Sequence, residues 1–163
     1  MRVLALGGSG GMGRFAVETS MQFENISEIF VADINADAAI AFSNTMNEKV
    51  SGFGLDVTDL DALRKAMDNA DIVINTVGPF FKYGPPILEA AIEKDCHYLD
   101  INDDWEPTVE MLKFHKKAES HSKTAILGMG ASPGLTNMLG AAAIQELDEV
   151  ETCLLYTSPS PRD

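Results

Sequence analysis

The chain has 163 residues, 45% of them hydrophobic, which suits one domain with a buried core. Its formal net charge of −13 and its pI near 4.5 disfavour nucleic acid as a partner, because phosphate binding needs a basic face. No apolar run is long enough to span a membrane and no cleavable leader precedes the first strand, so the expected partner is a small molecule and the expected compartment the cytoplasm.

Val3, Leu4, Ala5 and Leu6 form an apolar run that fits a buried strand. Five glycines then crowd into the eight residues Gly7 to Arg14. Phe15, Ala16, Val17, Thr19 and Met21 follow with a composition that suits a helix. A linker would be polar on both sides; strand, glycine turn and helix instead make the first half of a βαβ unit. Within it Gly8, Gly10 and Gly13 match G-x-G-x-x-G. The first glycine permits the tight turn, the second lets a pyrophosphate approach the backbone, and the third lets helix and strand pack closely. The helix N-terminus offers free N–H groups to the phosphates.

The second strand is predicted over Glu28 to Ala32 and ends in Asp33, 20 residues beyond Gly13. A carboxylate there can accept from the adenosine ribose hydroxyls, or it can cap the next helix. Ala36 to Met46 reads as that helix, and Val50 to Leu55 as the third strand. Thr58 or Asp59 caps a helix whose apolar face is Leu60, Leu63, Ala66 and Met67. Ile72 to Thr76 is the fourth strand, and Pro85 to Lys94 a helix with a proline in its first turn. The fifth strand is His97 to Ile101, followed by a helix over Pro107 to Ser120. Thr124 to Gly130 is the sixth strand, and Leu135 to Leu147 the last helix. Strands alternating with helices, several of them continuously apolar, predict a Rossmann-like α/β fold: a doubly wound parallel sheet with helices on both faces.

Ligands of such sheets bind beyond the carboxyl ends of the strands. Asp56 and Val57 can flank an adenine there, and Asp56 serves equally well as an acid at a helix start. Asn75, Thr76, Val77, Gly78 and Pro79 end the fourth strand, near where the nicotinamide ribose would lie, although Gly78-Pro79 also reads as a simple chain reversal. Phe80, Phe81 and Tyr83 can wall a pocket or serve as ordinary packing. Amine oxidation needs a proton acceptor, and Asp100, Asp103 and Asp104 follow the fifth strand. A solvated acidic turn accounts for at least two of them. His97, His115 and His121 read as structural. Neither they nor Cys96 and Cys153 show metal-ligand spacing, and two cysteines make no disulfide framework.

The segments GGSGGMG, INTVGPFFKYGPPILEAAIEKDCHYLDINDD and GMGASPGLTNML together resemble the saccharopine dehydrogenase-like family. The resemblance covers roughly Arg2 to Thr152 and is to the family's NAD(P)-binding domain. It implies a nicotinamide-dependent oxidoreductase acting on a C–N bond of an amino acid or amino-acid-derived amine, with a homodimer possible for the full protein. Its outer branches, which resemble trans-acting enoyl reductases, imply a different oxidoreductase; a non-catalytic NAD(P)-binding module is the rival of another class. The resemblance puts Ser9, Gly10, Gly11 and Met12 on the pyrophosphate, and Asp33, Ile34 and Asn35 at the adenosine ribose. It puts Asp56 and Val57 at the adenine, and Val77 and Gly78 near the nicotinamide. Asp100, Asn102, Ser132 and Pro133 would line the substrate cleft, with Asp100 the candidate base. NADP-using relatives often carry an arginine just past the second strand, where this chain reads DIN. No lysine or arginine lies between Asp33 and Lys49, and Arg14 is expected to point at the pyrophosphate. NAD is therefore expected over NADP, with NADP possible.

The last eleven residues, CLLYTSPSPRD from Cys153 to Asp163, resemble the in-frame translation of a transposase-type sequencing adaptor. The expectation is a cofactor domain over residues 1–152, a non-native tail over 153–163, and a substrate domain missing from this chain.

Overall fold

The structure is a computed structural model and describes residues 1–154. Its first strand, β1 (Arg2–Leu6), lies between β2 (Glu28–Asp33) and β4 (Ile72–Asn75), each parallel to it. Beyond β2 runs β3 (Val50–Gly54); beyond β4 run β5 (His97–Asp100) and β6 (Ala125–Ile126). The order β3-β2-β1-β4-β5-β6, parallel throughout, is the doubly wound arrangement that the sequence predicts.

Successive side chains of a strand point to opposite faces, and β1 seeds two cores in this way. Leu4 and Leu6 enter one, with Leu63, Met67, Ile87 and Leu88 from helices α3 (Leu60–Met67) and α4 (Phe80–Glu93). Helices α5 (Trp105–Leu112) and α6 (His115–Ser120) complete that layer through Met111 and Ala118. Val3 and Ala5 enter the other core, with Val17 of helix α1 (Gly11–Ser20) and Ala39 and Phe42 of helix α2 (Ala36–Ser43). The seventh helix, α7 (Leu135–Gln145), buries no residue.

Several boundaries differ from expectation for local reasons. α1 begins at Gly11, one turn earlier than Phe15, and its buried face is Gly13, Val17 and Ser20, while Phe15 is 67% exposed. The small face lets the helix lie close on the sheet. α4 starts at Phe80, so Pro85 and Pro86 fall inside it. The carbonyls they leave unpaired belong to exposed Phe81 and Lys82, where water can serve them. The single helix expected over Pro107 to Ser120 starts earlier and is split, because Lys113 and Phe114 donate three residues back, to Glu110 and Met111. α2 stops at Ser43 and α7 at Gln145, short of the expected Met46 and Leu147. β6 keeps two residues because the next N–H groups, of Gly128 and Met129, are taken by Asp100. Of the tail expected at Cys153 to Asp163, Cys153 and Leu154 are exposed; the rest lies outside the described residues.

Candidate functional site

The glycine turn is built by the strands on either side of it. Gly7 has φ +69°, and its N–H and that of Gly8 donate to the Ala32 carbonyl of β2 at 2.9 and 3.4 Å. Thr76 holds it from the other side, its hydroxyl donating to the Leu6 carbonyl at 2.9 Å. A Cβ on Gly13 would come within 2.2 Å of the Gly7 oxygen, so α1 can approach the turn only with glycine there. At Gly8 a Cβ would meet the Ala5 oxygen at 2.9 Å. At Gly10 the nearest atom is 3.2 Å away, and at Gly11 none lies within 4 Å. A Cβ at Gly10 would therefore press on the turn without overlapping it, and open space stands beside Gly11.

That space faces backbone donors. The first helical bond runs from Arg14 N–H to the Gly10 carbonyl at 3.0 Å. Ahead of it the N–H groups of Gly11, Met12 and Gly13 have no hydrogen-bond partner among the described residues. Orphan donors at the positive end of a helix dipole favour an anion.

A groove of about 280 Å³ runs from this turn along the strand ends. Gly7 and Gly10 line it with Asp33 and Ile34, with Asp56 and Val57, and with Val77, Gly78 and Tyr83. Asp33 ends β2, where its carboxylate accepts from Ser9 Oγ at 2.6 Å and from Asn35 N–H at 3.2 Å. The helix-capping alternative falls to Asn35, whose side chain accepts from Ala38 N–H at 3.1 Å. Asp56 accepts from the N–H and hydroxyl of Thr58, at 2.8 and 2.7 Å, and these bonds hold its carboxyl below the usual carboxylate range. Both readings of Asp56 therefore apply, since it lines the groove and organises the approach to α3, whose cap is Asp59. Of the three aromatics, Tyr83 lines the groove, Phe80 is buried and Phe81 is exposed.

Across the sheet a buried polar chain underlies the nicotinamide side. Asn75 accepts from Val77 N–H at 2.9 Å and donates to the Tyr98 hydroxyl at 2.9 Å. Beyond Tyr98 stands Asp100, which is 0% exposed. Its Oδ1 accepts from Asn102 N–H at 3.0 Å and from Gly128 N–H at 2.8 Å. Burial pushes its carboxyl above the usual range, against the opposing pull of those two bonds. Asn102 is equally buried, and its amide bonds Asp104 of its own loop and the Thr108 hydroxyl in the first turn of α5. Ser132 is exposed and Pro133 half-buried in a loop that folds back on Gly128. Of the substrate-side candidates, then, Ser132 and Pro133 reach the surface of this chain, while Asp100 and Asn102 hold the loops from beneath. Asp103 and Asp104 are exposed, as a solvated turn requires. The histidines make local bonds at most: His97 accepts from Thr124 N–H at 3.1 Å, and His121 meets Asp95 at 2.9 Å.

The family model of the saccharopine dehydrogenase NADP binding domain matches residues 3–126. This chain belongs to that family. The family is named for binding NADP, and the orphan donors ahead of α1, the glycine turn and the acid at the end of β2 fit a nicotinamide dinucleotide in the groove. A "Probable mitochondrial saccharopine dehydrogenase-like oxidoreductase" of Arabidopsis thaliana is 26% identical over 141 residues, covering 78% of this chain and 31% of that protein. A "Lipid droplet localized protein" of Caenorhabditis elegans is 28% identical over 177 aligned positions, 97% of this chain and 41% of that one. Apo saccharopine dehydrogenase (L-Glu forming) of Saccharomyces cerevisiae shares the fold, with a TM-score of 0.76, 22% identity, and coverage of 89% of this chain and 31% of that chain. The chain thus spans 31% to 41% of the length of these proteins. No helix among the described residues is long and apolar enough to cross a membrane.

Tyr98 escapes a motif reading, and Thr76, expected near the nicotinamide ribose, has a second part in the turn. Thr76 clamps the glycine turn, and Tyr98 carries the polar chain between β4 and β5. Period-two alternation along a short strand tells which side is buried, but not that a buried tyrosine sits under a ligand edge. For Thr76 the signal was its place right after a strand, a position that favours ligand loops.

Proposed function

We propose that this domain binds NAD in preference to NADP and serves an oxidoreductase that oxidises an amine, or reduces an imine, at a C–N bond of an amino acid or amino-acid-derived amine. The observation that carries the reading is a cofactor domain of the saccharopine dehydrogenase family whose groove is complete in its glycine turn, its ribose acid and its nicotinamide-side loop. When bound, the cofactor supplies the hydride acceptor or donor. The chain's own part is positioning. On this reading Ser9, Gly10, Gly11 and Met12 hold the pyrophosphate, Asp33, Ile34 and Asn35 face the adenosine ribose, Asp56 and Val57 flank the adenine, and Val77 and Gly78 support the nicotinamide. Asp100 and Asn102 set the height of the loops that carry Gly128 and Ser132, so we read Asp100 as a positioning residue rather than the base itself.

The matched proteins are two to three times longer than this chain, which supports a substrate domain supplied by further chain. That the Cys153–Asp163 tail is foreign to the protein is part of the same proposal and rests on its sequence alone. A homodimer of the full-length protein belongs to the same proposal. So does a cytoplasmic location, which fractionation of tagged full-length protein tests, given relatives named for mitochondria and lipid droplets. The deciding assay incubates full-length protein with NAD and, separately, lysine, saccharopine and polyamine derivatives, following formation of reduced nicotinamide. Turnover of one amine class supports the proposal. Cofactor binding without turnover of any amine, together with reduction of an enoyl thioester, would transfer the protein to the second reading. That reading, an enoyl reductase-like enzyme, is the one the resemblance of the outer branches of the family leaves open.

A further inference from the structure

Arg14 does not point where the motif suggests. Its Nε donates to the Ser9 carbonyl at 2.8 Å, and its guanidinium lies over the Phe42 ring, 4.9 Å from the centroid. The side chain is thereby drawn toward α2, the helix that follows the ribose acid. Ser9 is the hinge of the arrangement. Its carbonyl holds Arg14, while its hydroxyl donates to Asp33 Oδ2 at 2.6 Å. Cation and acid are thus fastened to two atoms of one residue, yet they do not form an ion pair with each other. The terminal N–H groups of Arg14 have no partner among the described residues. Stacking on a ring and one fixed Nε bond pre-order a guanidinium whose free donors match a phosphate.

We propose that Arg14 is the residue that admits a 2′-phosphate, so that Asp33 sets the preference for NAD while Arg14 limits its size. The inference rests on the dinucleotide reading of the groove. Asp33 alone would exclude NADP, since a carboxylate faces a dianion across the ribose edge. A cation held through Ser9, the same residue that holds the acid, offsets that repulsion and supplies charge-assisted hydrogen bonds. Ser9 and Asn35 already occupy both oxygens of Asp33, so the acid can remain engaged with its own loop while the phosphate turns to Arg14.

Two pairs of ligands isolate the phosphate. AMP and adenosine 2′,5′-bisphosphate differ only in the 2′-phosphate and lack the pyrophosphate; NAD and NADP differ likewise in the full cofactor. Dissociation constants for all four are measured with the chain and with Arg14→Met, which keeps an apolar side chain on Phe42, after thermal melting confirms that the variant is folded. The expected result is a loss of about tenfold for adenosine 2′,5′-bisphosphate and NADP, with AMP and NAD changed less than about twofold. Arg14→Lys should recover part of the loss, as a point charge without the fork. Equal weakening of all four would place Arg14 on the 5′-phosphate side and overturn the proposal, as would unchanged NADP binding, or an unmodified chain that binds NAD but neither 2′-phosphorylated ligand. An unmodified chain that binds none of the four would instead overturn the dinucleotide reading itself, and this inference with it.

Discussion

Gly10 and Gly13 sit three residues apart and answer to different demands. A Cβ at Gly13 would meet the Gly7 backbone oxygen at 2.2 Å, an overlap that only backbone movement can relieve. Gly13→Ala should cost more than about 2 kcal/mol of stability in a denaturant titration. Gly10 has extended backbone, φ −73° and ψ 172°, and a Cβ there would lie 3.2 Å from the Gly7 oxygen, a tight contact but not an overlap. Gly10→Val should cost only about 1 kcal/mol as a poorer helix cap, yet abolish NAD binding by filling the phosphate space. Calorimetric titration of the folded variant checks this; normal NAD affinity would remove the glycine turn from the cofactor site. Asp33 makes a complementary case. Asp33→Ala removes the acid that reads a free 2′-hydroxyl, so the ratio of NADP to NAD dissociation constants should fall toward one. A ratio unchanged in that variant would show that the acid plays no part in cofactor choice.

Strand ends are tied by side chains as well as by the ladder. Asp71, just before β4, accepts from Arg2 N–H at 2.7 Å and from Arg2 Nη2 at 3.1 Å, joining the starts of two neighbouring strands. The Arg2 backbone bond, then its side-chain bond, hold the Asp71 carboxyl below the usual carboxylate range. A carboxyl whose folded value is depressed stabilises the fold above its unfolded value, near 3.8, and loses that contribution as pH falls through the lower folded one. Asp71→Asn should therefore reduce stability by no more than about 1 kcal/mol at neutral pH, the pair being partly exposed. Melts repeated at decreasing pH should show the two proteins converging in the acid range. A gap that persists at pH 2 would point to packing instead. The same economy explains the short β6: Asp100 takes the N–H groups of Gly128 and Met129, so the strand ends where the loop begins.

The two faces of the sheet are covered unequally. α3, α4, α5 and α6 close one face. On the other, α1 and α2 close the β1–β3 side, whereas Ile74, Leu99 and Ile126, in register across β4, β5 and β6, are half-buried or exposed. Phe15 stands out from α1 at 67% exposure, and α7 presents Leu135, Met138 and Leu139. Exposed apolar surface of this kind binds other apolar surfaces. The chain should therefore bind an apolar fluorescent dye while folded and lose solubility at high concentration. Ile126→Lys combined with Phe15→Lys should reduce the dye signal at least about twofold without lowering the melting temperature by more than a few degrees. Equal dye binding by the double variant would assign the apolar surface to α7.

Strand, glycine turn, helix and acid were legible along the chain because each is a local matter. An apolar run of four, glycines where a Cβ cannot fit, and an acid at a strand end depend on neighbours within one βαβ unit. The alternation of elements likewise implied a parallel sheet, and the order of its strands agrees. What sequence spacing could not decide were matters of long-range contact. The direction of Arg14 depends on Phe42, 28 positions away, and the burial of Asp100 depends on Gly128, as distant again. Pro85 and Pro86 read as a helix start because proline suits a first turn, but the chain folds one turn further back where solvent can satisfy the carbonyls they free. A side chain's partner in space is chosen by packing, and only the folded sheet brings those partners together.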